Sequence, residues 1–314
     1  MVYIIQKGVS MKVIDIDSLK RIKKLDNHLV LCLGSFMTLH LGHQALIKEA
    51  TKNKNKVVGV LSLCPSPRVF FGQESDKVLL TDGDRARILT SLGVNYQINI
   101  KFDETLSEVK ARDFIEKYLL PLGTKEIYIG EDFHFGFKRE GDIKLLSEYF
   151  DVHVVPMVED DEDKISSSRI YSLIQNGDME KVTKLLGRYY EVSGTVIHGR
   201  GNGQKLAFPT ANIAFDVPFL LPEKGVYLVR VFVKGEPHFA MANVGVHPTV
   251  GELSSPILEV HILDFDGLIY DWHLYVQFFR KIRDEIKFTS TKELVHQLET
   301  DKKKIRDIIS NEVF

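Results

Sequence analysis

Between Leu29 and about Asp178, short apolar runs alternate with segments whose apolar residues recur at helical spacing. No other feature restricts the fold as much, because such alternation buries its apolar surface best as a parallel sheet with helices on both faces. The strand-like runs are Leu29–Leu33, Val57–Leu63, Val94–Ile100, Glu126–Ile129 and Val152–Pro156. Helical segments lie around Asp84–Leu92, Val109–Leu119 and Asp142–Tyr149. After Gly187 the period becomes two. Val229, Val231 and Val233 alternate with Leu228, Arg230 and Phe232, and Leu258, Val260 and Ile262 with Glu259, His261 and Leu263. That is the pattern of half-buried antiparallel strands, so a small β-barrel or sandwich is expected. At the end, Leu294, Val295, Leu298, Ile305, Ile308 and Ile309 fall on one face of a helix. The fold class is α/β: a doubly wound parallel sheet, then an antiparallel β domain ending in a helix.

At 314 residues, 44% hydrophobic and 27% charged, the chain suffices for two ordinary domains. A formal charge of −2 gives no global attraction to nucleic acid or an anionic membrane, so neither is expected as a partner. Any phosphate must be held locally, which suits small nucleotides. Cys32 and Cys64 have no paired spacing, so neither a disulfide framework nor a zinc site is expected. No apolar stretch reaches the roughly 18 residues of a membrane span, and a cytoplasmic protein is expected. Met11 offers a second start, which leaves residues 1–10 as an extension of little importance to the fold.

Five segments carry chemistry. His40-Leu-Gly42-His43 stands where the strand Leu29–Leu33, turned at Gly34, meets the helix pattern of Ala45, Leu46, Glu49 and Ala50. Free N–H groups and the positive end of a helix dipole favour an anion there, and a glycine permits close approach. Chance packing is the competing reading; metal is the weakest, since no further ligand stands at suitable spacing. Ser166-Ser167-Ser168-Arg169 opens another helix and either caps it or holds phosphate oxygens. In the second half, Gly199, Gly201 and Gly203, with Arg200 and Lys205, form a loop that is either a mobile turn or a polyphosphate cradle. It leads to Phe208-Pro-Thr210-Ala-Asn212, whose Thr210 and Asn212 point to one face of an extended segment and suit Mg²⁺ against phosphates. Glu259 interrupts an apolar strand and is either solvated or a base for an alcohol attacking ATP. Arg283-Asp-Glu285 before Lys287-Phe288 is a charged turn or a ligand clamp.

Taken in order, the histidine quartet and Pro-Thr-Ala-Asn resemble the prokaryotic bifunctional riboflavin kinase/FAD synthetase family, from about Met11 to Ile309. Further matching segments are Gly130-Glu-Asp-Phe-His-Phe-Gly136 with Gly141-Asp142, Leu186-Gly-Arg188, Ala242-Asn-Val-Gly245 with Pro248-Thr249, and Arg283-Asp-Glu285 with Lys287-Phe288. The resemblance implies a nucleotidyltransferase-like FMN adenylyltransferase domain over 11–183 and a flavokinase barrel over 184–314. It implies that Thr210 and Asn212 bind Mg²⁺-ATP, that Glu259 is the base for the riboflavin 5′-hydroxyl, and that Arg283 contacts bound ligand. Gly34, Phe36, Gly42, His40, His43, Ser167, Ser168 and Arg169 are the corresponding residues around the adenylylation site. ATP, riboflavin and FMN are the implied substrates.

The sequence departs from the family pattern at Met37 (an acidic position), Ser66 (a histidine), Tyr171 (an arginine) and Ala207 (a glycine). Gly201, Asn202 and Gln204 stand where basic residues are usual. Three of these changes surround the adenylylation site, which makes riboflavin phosphorylation the firmer expectation and impaired or altered adenylylation the weaker. The alternatives are a member with one activity, either kinase alone or adenylyltransferase alone, and a silent flavin- or nucleotide-binding regulator. Intact Thr210, Asn212 and Glu259 weigh against the last.

Overall fold

A seven-stranded sheet and a closed six-stranded barrel form the two β structures of this chain, for which the computed structural model describes residues 2–6, 9–17, 22–161, 163–198, 208–246 and 256–313. The chain divides into two compact units: one holds residues 1–76 and 80–168, the other 77–79 and 169–314.

In the first unit the strands are β1 (Val2–Gln6), β2 (Val9–Ile16), β3 (Leu29–Leu33), β4 (Val57–Cys64), β5 (Tyr96–Lys101), β6 (Thr124–Gly130) and β7 (Asp151–Val155), ordered β1-β2-β5-β4-β3-β6-β7. Strands β2 to β7 are mutually parallel and β1 pairs antiparallel with β2 at the edge. The expectation that residues 1–10 add little is therefore corrected: 2–6 and 9–10 lie in strands, and β2 extends the parallel sheet beside β5. Both faces are covered, as near-continuous apolar strands require. Leu29, Leu31, Leu61, Ile98 and Ile127 pack on one side. Val30, Cys32, Val58 and Val60 pack on the other, against Leu46 and Ile47 of α1 (Leu41–Ala50). The remaining helices of this unit are α2 (Pro67–Phe70), α3 (Asp82–Ser91), α4 (Glu104–Ser107), α5 (Ala111–Phe114, continued by a π turn at Ile115–Leu119) and α6 (Ile143–Ser147). The sheet grows from β3 toward β4 on one side and toward β6 on the other. The strand order thus reverses beside β3, and the carboxyl ends of the strands at such a reversal are where open α/β sheets bind their ligands.

The second unit resolves the choice between barrel and sandwich. Strands β8 (Tyr190–Ile197), β9 (Ala211–Ala214), β10 (Gly225–Val233), β11 (Glu236–Val246), β12 (Pro256–Ile262) and β13 (His273–Arg283) close in the order β10-β11-β12-β9-β8-β13, every pair antiparallel. Val229, Val231, Leu258, Val260, Val276 and Phe278 are all fully buried, one residue from each alternating pair, and fill the barrel. The opposite faces are only partly open to water. Leu228, Met241, Leu263 and Phe279 pack against Val295, Leu298, Ile305 and Ile308 of α9 (Thr291–Asn311), the apolar helix face read from the sequence. Two helices precede the barrel, α7 (Ser167–Gln175) and α8 (Met179–Leu186). The second lies on β8 and β13, with Glu180 paired to Arg280 at 2.6 Å.

Candidate active sites

In the sheet unit, the turn between β3 and α1 follows the carboxyl end of β3, where the strand order reverses. His40 is the N-cap of α1: its backbone is extended, and its Nδ1 accepts the His43 N–H at 3.3 Å. That bond uses one of the amides a helix N-terminus leaves free. The two imidazoles stack, centroids 3.7 Å apart and planes 16° from parallel, with Phe36 tilted against His43 at 5.0 Å. Gly42 has a role the sequence did not suggest. A Cβ there would stand 3.1 Å from the His40 ring, so the glycine makes room for that ring. Gly34 likewise faces the Phe36 ring, 3.1 Å from where its Cβ would be. Phe36 and Leu39 hold positive φ, 39° and 46°, although both are buried non-glycine residues. Strain of this kind is retained where surrounding structure fixes it, and here it shapes the turn that delivers the histidines.

The serine patch does reach this turn. Ser167 Oγ lies 3.0 Å from Oγ1 of Thr38, which is fully buried, while Ser168 donates to Glu74 at 3.1 Å. Arg169 follows in α7. The departures from the family pattern have structural consequences. Met37 Sδ accepts a contact at 3.0 Å from Arg85, a buried guanidinium also bonded to Asp82 at 2.7 Å. Ser66 caps α2 through the Val69 N–H, and the Tyr171 hydroxyl donates to the Lys77 carbonyl.

In the barrel unit, strand register gathers the second site. Asn212 on β9 stands directly opposite Glu259 on β12, and Glu259 directly opposite Asn243 on β11. The three form one row across adjacent strands. Leu258 and Val260 are buried inside the barrel, so Glu259 points away from its interior. Thr210 lies two residues before Asn212, immediately ahead of β9. The turn carrying Thr210 is fixed by His261, whose Nδ1 lies 2.9 Å from the Pro209 carbonyl. A carbonyl only accepts, so Nδ1 carries the proton. The ring is 7% exposed and packs against Phe208 at 5.1 Å. Burial lowers the His261 pKa, the Pro209 bond opposing it. The Arg283 guanidinium is held by the buried Asp301 of α9 at 2.9 and 3.1 Å. Glu285 nears the row, its Oε1 and Asn243 Nδ2 each 3.7 Å from where a Gly245 Cβ would lie. Gly199, Gly201 and Gly203 lie outside the described residues.

Asn243, His261 and Asp301 were not singled out as site residues from sequence. His261 had a signal, since it lies two residues beyond Glu259 on an alternating strand. Asp301 had none, because its partner lies on another element.

A family model described as FAD synthetase matches residues 22–169, and one described as riboflavin kinase matches 186–309. A bifunctional riboflavin kinase/FMN adenylyltransferase of Listeria monocytogenes is 36% identical over 290 residues, spanning 90% of this chain and 92% of its own. The chain belongs to the bifunctional riboflavin kinase/FMN adenylyltransferase family. Another relative of that description, from Haemophilus influenzae, is 37% identical over 86% of this chain and 91% of its own. Like them, it is an enzyme of flavin cofactor biosynthesis, with both domains present. A crystal structure titled macrolide-efflux protein, from Streptococcus pneumoniae, superimposes with a TM-score of 0.83 at 30% identity, covering 94% of this chain and 99% of that one. Among the described residues of this chain no helix is long and apolar enough to cross a membrane.

Proposed function

We propose that the two activities of the family are carried by the two candidate sites: riboflavin phosphorylation by the barrel within residues 184–314 and FMN adenylylation by the sheet domain within 11–183. The observation that carries the reading is the row Asn212–Glu259–Asn243, because it joins a cation-binding amide to a carboxylate one strand away. The start of the riboflavin kinase match at residue 186 supports the division.

In the kinase, Glu259 accepts the proton of the riboflavin 5′-hydroxyl as its oxygen attacks the γ-phosphorus of ATP; the bond from that phosphorus to the β,γ-bridging oxygen breaks and ADP leaves. Thr210 and Asn212 are hard oxygen donors on one face and fit Mg²⁺, which supplies charge neutralisation on the phosphates when bound. His261 and Phe208 hold the Thr210 turn, and Asp301 fixes the Arg283 side chain toward bound ligand. In the adenylyltransferase, a phosphate oxygen of FMN attacks the α-phosphorus of ATP and pyrophosphate leaves. His40, His43 and the first amides of α1 face the charge that develops there, with Ser167, Ser168 and Arg169 at the rim. Both reactions use ATP, and a cytoplasmic setting is consistent with the free thiols Cys32 and Cys64.

A narrower reading, kinase alone, rests on Met37: a neutral sulfur meets Arg85 where the family has an acidic residue. Purified protein with Mg²⁺-ATP, given riboflavin in one tube and FMN in another, separates the readings chromatographically. FMN from the first and FAD from the second are expected. No FAD from the second leaves only the kinase; no FMN from the first overturns the barrel assignment, and ligand binding without turnover in either tube overturns both.

A further inference from the structure

The sheet unit carries a second polar cluster, at the opposite ends of its strands from the histidine turn. Glu126 lies near the start of β6, Asp151 begins β7 and stands directly opposite it, and His153 follows on the same face. His28 immediately precedes β3 and Lys56 precedes β4. Two carboxylates opposite each other on adjacent strands repel. Lys56 supplies one positive charge, bonding both Glu126 oxygens at 2.6 Å, and His28 Nε2 lies 2.8 Å from Oε1. Among the described residues Asp151 has no such donor. Its Oδ2 and Glu126 Oε2 each lie 3.5 Å from His153 Nε2. That nitrogen is shielded from water and has no hydrogen-bond partner among the described residues. Its ring is held in place by stacking on Tyr128 at 4.4 Å.

These separations have a specific meaning. Ligands about 2.1 Å from a tetrahedral ion are about 3.4 Å apart, which is longer than a hydrogen bond and close to what the imidazole keeps from each carboxylate. The ligand atoms of Glu126, Asp151 and His153 all lie within 4.8 Å of one another. Glu126 is 5% exposed and is held by a histidine at its far oxygen, as ligating carboxylates commonly are. We propose that Glu126, Asp151 and His153 form a binding site for a first-row divalent transition ion, joining the edge strand β7 to β6, with His28 orienting Glu126. Imidazole with carboxylates is the donor set that suits such ions. Lys56 is the resident competitor, on a flexible stem that can withdraw from Oε2 when the ion enters.

The test uses untagged, chelator-stripped full-length protein titrated with Zn²⁺ alone, without nucleotide, by calorimetry and thermal melting. One ion per chain and a raised melting temperature are expected. His153→Gln and Asp151→Asn should each weaken binding at least about tenfold, while leaving riboflavin phosphorylation and the melting temperature in chelator unchanged. Lys56→Met should tighten it, the opposite of what loss of a purely structural ion pair predicts. Co²⁺ should give the visible absorption of a tetrahedral site, lost in His153→Gln. Absence of a bound ion, or Zn²⁺ binding that both variants leave intact, overturns the proposal.

Discussion

His261 couples the kinase site to the protein interior through one bond. Its Nδ1–H holds the Pro209 carbonyl while burial keeps the imidazole below its ordinary pKa of 6.5. Above that value both folded and unfolded chains carry it neutral. As pH falls below 6.5, the unfolded chain gains the proton first and stability declines until the folded-state pKa is passed. Denaturant midpoints should therefore drop more between pH 7.5 and pH 5.5 in the wild type than in His261→Gln, and the variant should show a raised kinase KM for ATP. Asp301 acts similarly on Arg283. It is 2% exposed and also accepts from Gln297 at 2.8 Å, so Asp301→Ala should cost about 2–3 kcal/mol in urea unfolding by stranding a partly buried guanidinium. The Asp301 role is not written in local sequence, and that of His261 is signalled only by its place two residues beyond Glu259. The histidine quartet, Thr210, Asn212 and Glu259 were legible because each motif sits in its own strand or turn. Asp301 and Asn243 acquire meaning only when a helix docks or a register forms.

At the scale of elements, the kinase row depends on β9, a strand of four residues between β8 and β12. β8 approaches it closely at Gly194, where a Cβ would lie 2.3 Å from the Ala214 carbonyl oxygen. Gly194→Ala must push β9 aside, and with it Asn212 from Glu259. A loss of about 1–3 kcal/mol is expected from such overpacking. Melting curves should record it, and riboflavin phosphorylation should fall while adenylylation persists. The alternating pattern of β10 and β12 made the barrel readable in advance. Other elements resisted for physical reasons. In β13 the paired Phe278-Phe279 breaks the alternation, because one ring fills the barrel and the other packs beneath α9. β1 and β2 lie before the Leu29–Leu33 run, and their place in the sheet comes from pairing, β2 with β5 and β1 with β2, rather than from their own composition.

For the whole molecule, each unit has its own core, and a separate candidate site is proposed for each activity. The sheet unit closes around two apolar layers, and the barrel around its interior and α9. Nothing in the proposed chemistry of one site borrows a residue from the other, so the activities should be separable by single substitutions. The decisive measurement compares wild type, Glu259→Gln and His43→Gln for FMN formed from riboflavin and FAD formed from supplied FMN. Glu259→Gln should lose about 10²–10⁴-fold in FMN formation, the usual contribution of a positioned base, and keep FAD formation; His43→Gln should do the reverse. FMN formation that survives Glu259→Gln, or a single substitution that abolishes both reactions in folded protein, would contradict the account.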